Sequence, residues 1–213
     1  MNIHNHIETL NERHPLLISC QDDIINAYNI LKSTIEKKGT IFCCGNGGSY
    51  SDSQHIVGEL LKSFKINRPI YNYDKERLIN LFGEQGLFLG DNLERGIKAL
   101  CLGSQSAFSF AFSNDVDDRL VFAQELLALG NSGDTLVCLS SSGNSENVKY
   151  AAMIAKYTGI KVILLTGTNN GSIDEFSDCI INVPEKETYK IQELHLPIYH
   201  TLCLALEEWY MNQ

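Results

Sequence analysis

The sequence predicts an α/β fold, a three-layer sandwich whose centre is a five-stranded, doubly wound parallel sheet flanked by helices. Three observations carry this. Short runs that are apolar nearly throughout recur along the chain, longer helical patterns separate them, and two of the runs end in turns rich in glycine or serine. A parallel strand covered on both faces shows no polar alternation, and its partner is reached only through a crossover long enough to hold a helix.

The strands read as Thr40–Cys44, Ile97–Leu102, Thr135–Leu139, Lys161–Leu165 and Cys179–Val183. Crossover helices are expected over 50–66, 119–129, 145–157 and 171–177. Ahead of the first strand, Leu17, Ile24, Ile25, Tyr28 and Leu31 recur at helical spacing and predict an N-terminal helix over 16–38. After the last strand, 190–211 reads as one C-terminal helix. Pro197 inside it is expected to remove one hydrogen bond and bend the axis. Residues 68–95 interrupt the rhythm as an insertion, with a helix over Lys75–Phe82 and a glycine-punctuated turn over Gly86–Gly90. Such a segment serves as surface or interface material, or as a lid over a site.

With 213 residues, 44% of them hydrophobic and 20% charged, the chain forms one domain, 1–213, around an ordinary core. The formal charge of -9 and the lack of any basic cluster exclude nucleic acid and anionic membrane as partners. A single phosphate is not excluded, because backbone dipoles can hold one. The seven cysteines, Cys20, Cys43, Cys44, Cys101, Cys138, Cys179 and Cys203, contain no C-x-x-C pair and read as reduced core thiols. The opening MNIHNHIETLNERHP has no apolar leader core, and no stretch is long enough to span a bilayer. A cytoplasmic protein is expected.

The first strand runs into Gly45-Asn46-Gly47-Gly48-Ser49 and the third into Ser140-Ser141-Ser142-Gly143-Asn144-Ser145, each followed by a helix. In an open α/β sheet, ligands sit beyond the carboxyl ends of the strands where strand order reverses. Glycines let backbone N–H groups approach an anion, a helix N-terminus adds roughly half a positive charge, and hydroxyls add donors without charge. Either loop alone would be an ordinary capping turn; two in equivalent positions favour a cleft for a phosphorylated sugar. No lysine follows the glycines, so this is no Walker A loop. Asn114-Asp115, after the apolar run that follows the second strand, falls at the same sheet edge.

His55 and Glu59 stand four apart on the helix after the first loop, and the C-terminal helix carries Gln192, His195 and His200. Imidazole, carboxylate and amide oxygen suit Zn²⁺ or a similar divalent ion. Gln192 and His200 lie about 12 Å apart along a regular helix and about 80° apart around it, so they reach one ion only by leaning together, or they serve two subunits' sites. Singly, each of these residues also has a plain structural role, as a surface hydrogen bond or a core histidine.

CGNGGSYSDSQHIVGELL (44–61), SSSGNSENV (140–148) and IQELHLPIYH (191–200), with NRP (67–69) and SND (113–115), together resemble the phosphoheptose isomerases, enzymes of the SIS fold. The resemblance implies zinc, one ion per subunit, held by His55, Glu59, Gln192 and His200. It implies catalysis by Glu59 and His200, and substrate binding by Asn46, Gly47, Gly48, Glu59, Asn114, Asp115, Ser140, Ser141, Ser142, Ser145 and Gln192. It further implies a homotetramer with sites at subunit interfaces, converting sedoheptulose 7-phosphate to D-glycero-D-manno-heptose 7-phosphate for surface polysaccharides. Tyr50 stands where the family commonly has His. The alternatives are an isomerase of another sugar phosphate, which the 68–95 insertion would suit, and a non-catalytic SIS protein that binds sugar phosphates, which would be expected to lack Glu59 and His200.

Overall fold

The computed structural model describes residues 3–213. Five strands, β1 (Ile41–Gly45), β2 (Ala99–Cys101), β3 (Thr135–Leu139), β4 (Lys161–Thr166) and β5 (Cys179–Asn182), form one parallel sheet in the order β2-β1-β3-β4-β5. Ile41 pairs with Ala99 on one side and Thr135 on the other, and Thr135 in turn pairs with Lys161. Strand order therefore reverses between β1 and β3, and both loops singled out above leave the sheet at that reversal.

The helices are α1 (Ile3–Arg13), α2 (Gln21–Glu36), α3 (Gly48–Leu61), α4 (Asn72–Phe82), α5 (Glu84–Asn92), α6 (Ser106–Phe112), α7 (Val121–Leu129), α8 (Glu146–Thr158) and α9 (Thr188–Met211). Successive side chains of each strand enter opposite layers. Ile41, Cys43, Val137, Leu139, Ile163 and Leu165 pack with α1, α2, α3 and α9. Phe42, Cys44, Leu136, Cys138, Val162 and Leu164 pack with α7 and α8. β1 and β3 are buried at every position, which is why they read as continuous apolar runs. Each fully buried Leu or Ile stabilises the sandwich by roughly 1.5–3 kcal/mol relative to exposure.

All five strands fall within two residues of their expected bounds, while four expectations need correction. The helix expected over 16–38 is a tight 3-10 turn, Pro15–Cys20, followed by α2. The turn lets both Leu17 and Cys20 face the core. The opening segment is not merely polar: Ile3, Ile7 and Leu10 recur at i, i+4, i+7 and bury one face of α1 against α9. Between β4 and β5 there is only a 3-10 turn, Asp174–Phe176, rather than a helix over 171–177.

The fourth correction concerns the insertion, which is a helical hairpin. Gly86 and Gly90 lie inside α5, not in a turn, and are its buried positions. A Cβ on Gly86 would fall 2.0 Å from the Leu78 carbonyl oxygen, so the glycines let α5 lie directly on α4. The turn between the helices is Gly83, whose φ of 60° favours glycine. The hairpin leaves Tyr73, Leu81, Phe82 and Phe88 exposed.

α9 runs through Pro197 without a break. It lies alongside α3 in the same direction: Gln192 meets Gly48, Tyr199 meets His55, and Glu207 meets Phe64 at the end of α3. That register decides which site residues meet. All seven cysteines are free and buried, with Cys44 and Cys138 side by side on β1 and β3, Sγ to Sγ 3.9 Å. No helix among the described residues is long and apolar enough to cross a membrane.

Candidate active site

The two loops meet at the sheet's reversal point. Asn46 and Asn147 exchange amide hydrogen bonds, each 2.9 Å, and so tie the glycine loop to the first turn of α8. Gly47 takes φ 55°, and its carbonyl accepts from the N–H groups of Tyr50 and Ser51, which starts α3. Asn46, Gly47 and Gly48 are exposed at the mouth.

The serine loop is braced from behind. Gly143, at φ 66°, packs on Gly171, with only 3.1 Å between the Gly171 Cα and the place a Cβ would occupy. Ser172 N–H donates to Asn144 Oδ1 at 2.9 Å, and Asn144 N–H donates to Ser142 Oγ at 3.2 Å. The hydroxyls of Ser140 and Ser145 lie 3.3 Å apart, while Ser145, the residue capping α8, makes no side-chain bond to the helix's own N–H groups. The N-terminus of a 13-residue helix and a hydroxyl-rich loop thus lie together at the end of β3, a donor set that suits a phosphate.

Asn114 and Asp115 lie on the exposed turn after α6, where the Asn114 amide donates to Asp115 Oδ1 at 2.9 Å. The same segment reaches the start of α8 through Arg119, 3.6 Å from Glu146. Its place at this edge is as expected, but Asn114 and Asp115 bond each other rather than either loop.

About two turns along α3, His55, Glu59 and His200 come together. His55 Nε2 stands 3.2 Å from Glu59 Oε1, and the His55 and His200 rings are edge to face with centroids 5.0 Å apart. Lys62 Nζ donates to Glu59 Oε2 at 3.0 Å. His200 Nε2 is buried with no partner, and burial, then the neighbouring His55, lowers its pKa. Gln192 does not join this group in the same chain. Its amide lies on Gly48 and within 3.4 Å of Ser49 Oγ, at the glycine loop.

Nitrogen and oxygen donors around an unpartnered imidazole suit a borderline divalent cation such as zinc. As the side chains stand, no three His, Cys, Asp or Glu among the described residues are set to hold one ion. A ligating role for His200 Nε2 would displace no hydrogen bond. His195 stays outside the group: it is fully buried beside Thr166, with both ring nitrogens unpartnered.

Three features escaped the sequence reading. Asp52, one turn before His55, bonds Tyr199, which in turn bonds His55. Asn147 braces the glycine loop. Arg68 and Glu207 form a buried ion pair, 3.3 Å from Nε to Oε1, at the end of α3. Asp52 and His55 share a helix face by their i, i+3 spacing, a legible signal; Glu207 gave none, because its partners lie 139 or more residues away in sequence, Arg68 the nearest.

Comparison with known proteins agrees with this geometry. The family model described as the SIS domain matches residues 108–206. A phosphoheptose isomerase of Helicobacter pylori is 34% identical over 92% of this chain and 89% of its own length. That of Akkermansia muciniphila is 33% identical over 96% and 95%. Among solved structures, phosphoheptose isomerases from Francisella tularensis (TM-score 0.76, 27% identity, 97% of this chain and 96% of that one) and Neisseria gonorrhoeae (0.72, 28%, 96% and 94%) share the fold along almost the whole chain. The similarity extends along almost the whole chain in sequence and in fold, and the chain belongs to the phosphoheptose isomerase family.

Proposed function

We propose that this chain is an aldose–ketose isomerase that converts sedoheptulose 7-phosphate to D-glycero-D-manno-heptose 7-phosphate through an enediol. The observation that carries the reading is the convergence of Glu59 and His200 on His55 from two parallel helices, one of which starts at the glycine loop. Isomerisation removes a proton from C1 of the open-chain ketose, forms the enediol, and returns a proton to C2 as the carbonyl moves to C1. Glu59 is the base for the carbon proton. His200, whose pKa burial lowers, moves the proton between the two oxygens and assists ring opening. The serine loop and the α8 N-terminus hold the phosphate, so binding energy far from C1 and C2 fixes their position.

A zinc ion would be held by His55, Glu59 and His200, one per subunit, and would polarise the substrate's carbonyl. Gln192 then either orients substrate at the glycine loop of its own chain or reaches a neighbouring subunit's site. Assembly into a homotetramer is part of the proposal, and the exposed apolar side chains of the α4–α5 hairpin and of α6, Phe110 being 78% exposed, support it. A cytoplasmic location is supported by seven free thiols.

The deciding experiment is the Glu59→Gln variant, followed by NMR of sedoheptulose 7-phosphate turnover. Turnover should fall by at least about 10²-fold with the fold intact; wild-type turnover would remove Glu59 from the chemistry. Elemental analysis of protein purified without chelator should find about one zinc per chain, and fully active, metal-free protein would remove the ion.

A further inference from the structure

Asp52, Tyr199 and His55 form a hydrogen-bond chain whose direction is fixed by the chemistry of its ends. Tyr199 has one hydroxyl proton, and it goes to Asp52 Oδ1 at 3.0 Å. An ionised carboxylate has none to return. The Tyr199 oxygen therefore faces His55 Nδ1, 3.1 Å away, as an acceptor, and His55 must supply the proton from Nδ1. In a neutral imidazole this leaves Nε2 as a bare lone pair. Glu59 Oε1, another acceptor, lies 3.2 Å from that nitrogen.

Two acceptors this close repel each other unless a cation lies near both. Lys62 does not fill that role, since it sits on the other carboxylate oxygen, Oε2. The alternative tautomer, with the proton on Nε2, would put that proton on the Glu59 side and remove the lone pair a ligand needs. The Tyr199 hydroxyl is what stands against it. Tyr199 is rigidly placed for this, being 2% exposed within the core on α9, and Asp52 shares the α3 face with His55.

We propose that Asp52 and Tyr199 are positioning residues that hold His55 in its Nδ1–H tautomer, keeping the Nε2 lone pair and the Glu59 carboxylate open toward a divalent cation. The cation part rests on the zinc reading above; the tautomer part does not. Such outer partners of a ligating histidine typically change metal affinity by about 10–100-fold.

The test uses two variants and two readouts. In metal-free wild-type protein at pH 8.5, ¹⁵N NMR of the histidine side chains, with His55 assigned by its loss in His55→Asn, should show the proton on Nδ1. In Tyr199→Phe it should move to Nε2. Asp52→Asn, which keeps the shape but can reverse the bond to Tyr199, should give a mixture or the Nε2–H form. Zn²⁺ affinity, measured by competition with a chromophoric chelator, should fall about 10–100-fold in Tyr199→Phe. A wild-type His55 protonated on Nε2, or a Tyr199→Phe protein that keeps both the Nδ1–H form and wild-type zinc affinity, would overturn the proposal. If Tyr199→Phe moves the proton while wild-type protein binds no zinc, the positioning role stands and the metal reading falls.

Discussion

Replacing Glu207 with glutamine removes the one anion that faces Arg68 in the interior. Glu207 is 2% exposed and Arg68 is fully buried. The Glu207 carboxylate accepts N–H bonds from Phe64 at 2.6 Å, Lys65 at 2.8 Å and Ile66 at 2.9 Å, and lies 3.3 Å from Arg68 Nε. Arg68 meanwhile donates to the carbonyls of Leu60 and Glu59 at 3.0 and 2.9 Å, closing the end of α3. Burial lowers the Arg68 pKa, and the Glu207 charge opposes that shift. A glutamine would leave a buried cation uncompensated and would turn an NH₂ group toward at least one of the three N–H donors. Removing one partner of a buried pair costs about 3–5 kcal/mol, which for a domain of this size lowers Tm by about 6–20 °C. Thermal unfolding followed by circular dichroism measures it. The doubly substituted Arg68→Met, Glu207→Met protein should recover part of the loss, because no lone charge remains buried. A Glu207→Gln protein melting within about 2 °C of wild type would refute the argument.

Two further outcomes follow from the geometry. Burial takes the pKa of His195 from 6.5 to about 4, against a small opposing effect of the Thr166 backbone; since the unfolded chain binds the proton first, wild type loses stability as pH falls from 6.5 to about 4, by up to about 3 kcal/mol. Denaturant unfolding of His195→Gln across that window should show a shallower fall, and an identical slope would refute it. Ser145→Ala removes the hydroxyl at the start of α8, 3.3 Å from that of Ser140; in the proposed phosphate site a bond to a charged group is worth about 1.5–3 kcal/mol, so kcat/KM should drop about 10–150-fold with Tm nearly unchanged, and an unaltered kcat/KM would place the phosphate elsewhere.

Much of this architecture was legible in the letters because burial on both faces leaves a plain mark. Ile41 to Gly45 and Thr135 to Leu139 are buried at every position, and they stand out as unbroken apolar runs. The strand-end loops were legible too, since Gly47 and Ser140–Ser145 announce turns, and both leave the sheet where strand order reverses. The hairpin was only half legible: glycine signals a turn when it supplies a backbone angle, as at Gly83, but Gly86 and Gly90 supply close contact inside a helix. α1 was missed because three apolar residues in eleven are few, although their spacing is helical. The meeting of α3 and α9 was out of reach. It depends on a parallel register between segments 144 residues apart, and that register separates Gln192 from His200.

The seven interior thiols make the molecule its own reporter of opening. A water-soluble alkylating or disulfide reagent meets no thiol on the folded surface; burial raises the Cys43 thiol well above the ordinary range, and the bond to Cys138, then burial, does the same for Cys44. Labelling therefore proceeds only as fast as the layers separate. Cys20, Cys179 and Cys203 lie in the layer of α2 and α9, while Cys44 and Cys138 lie in the layer of α7 and α8. The order in which the seven are labelled would show which half of the sandwich loosens first.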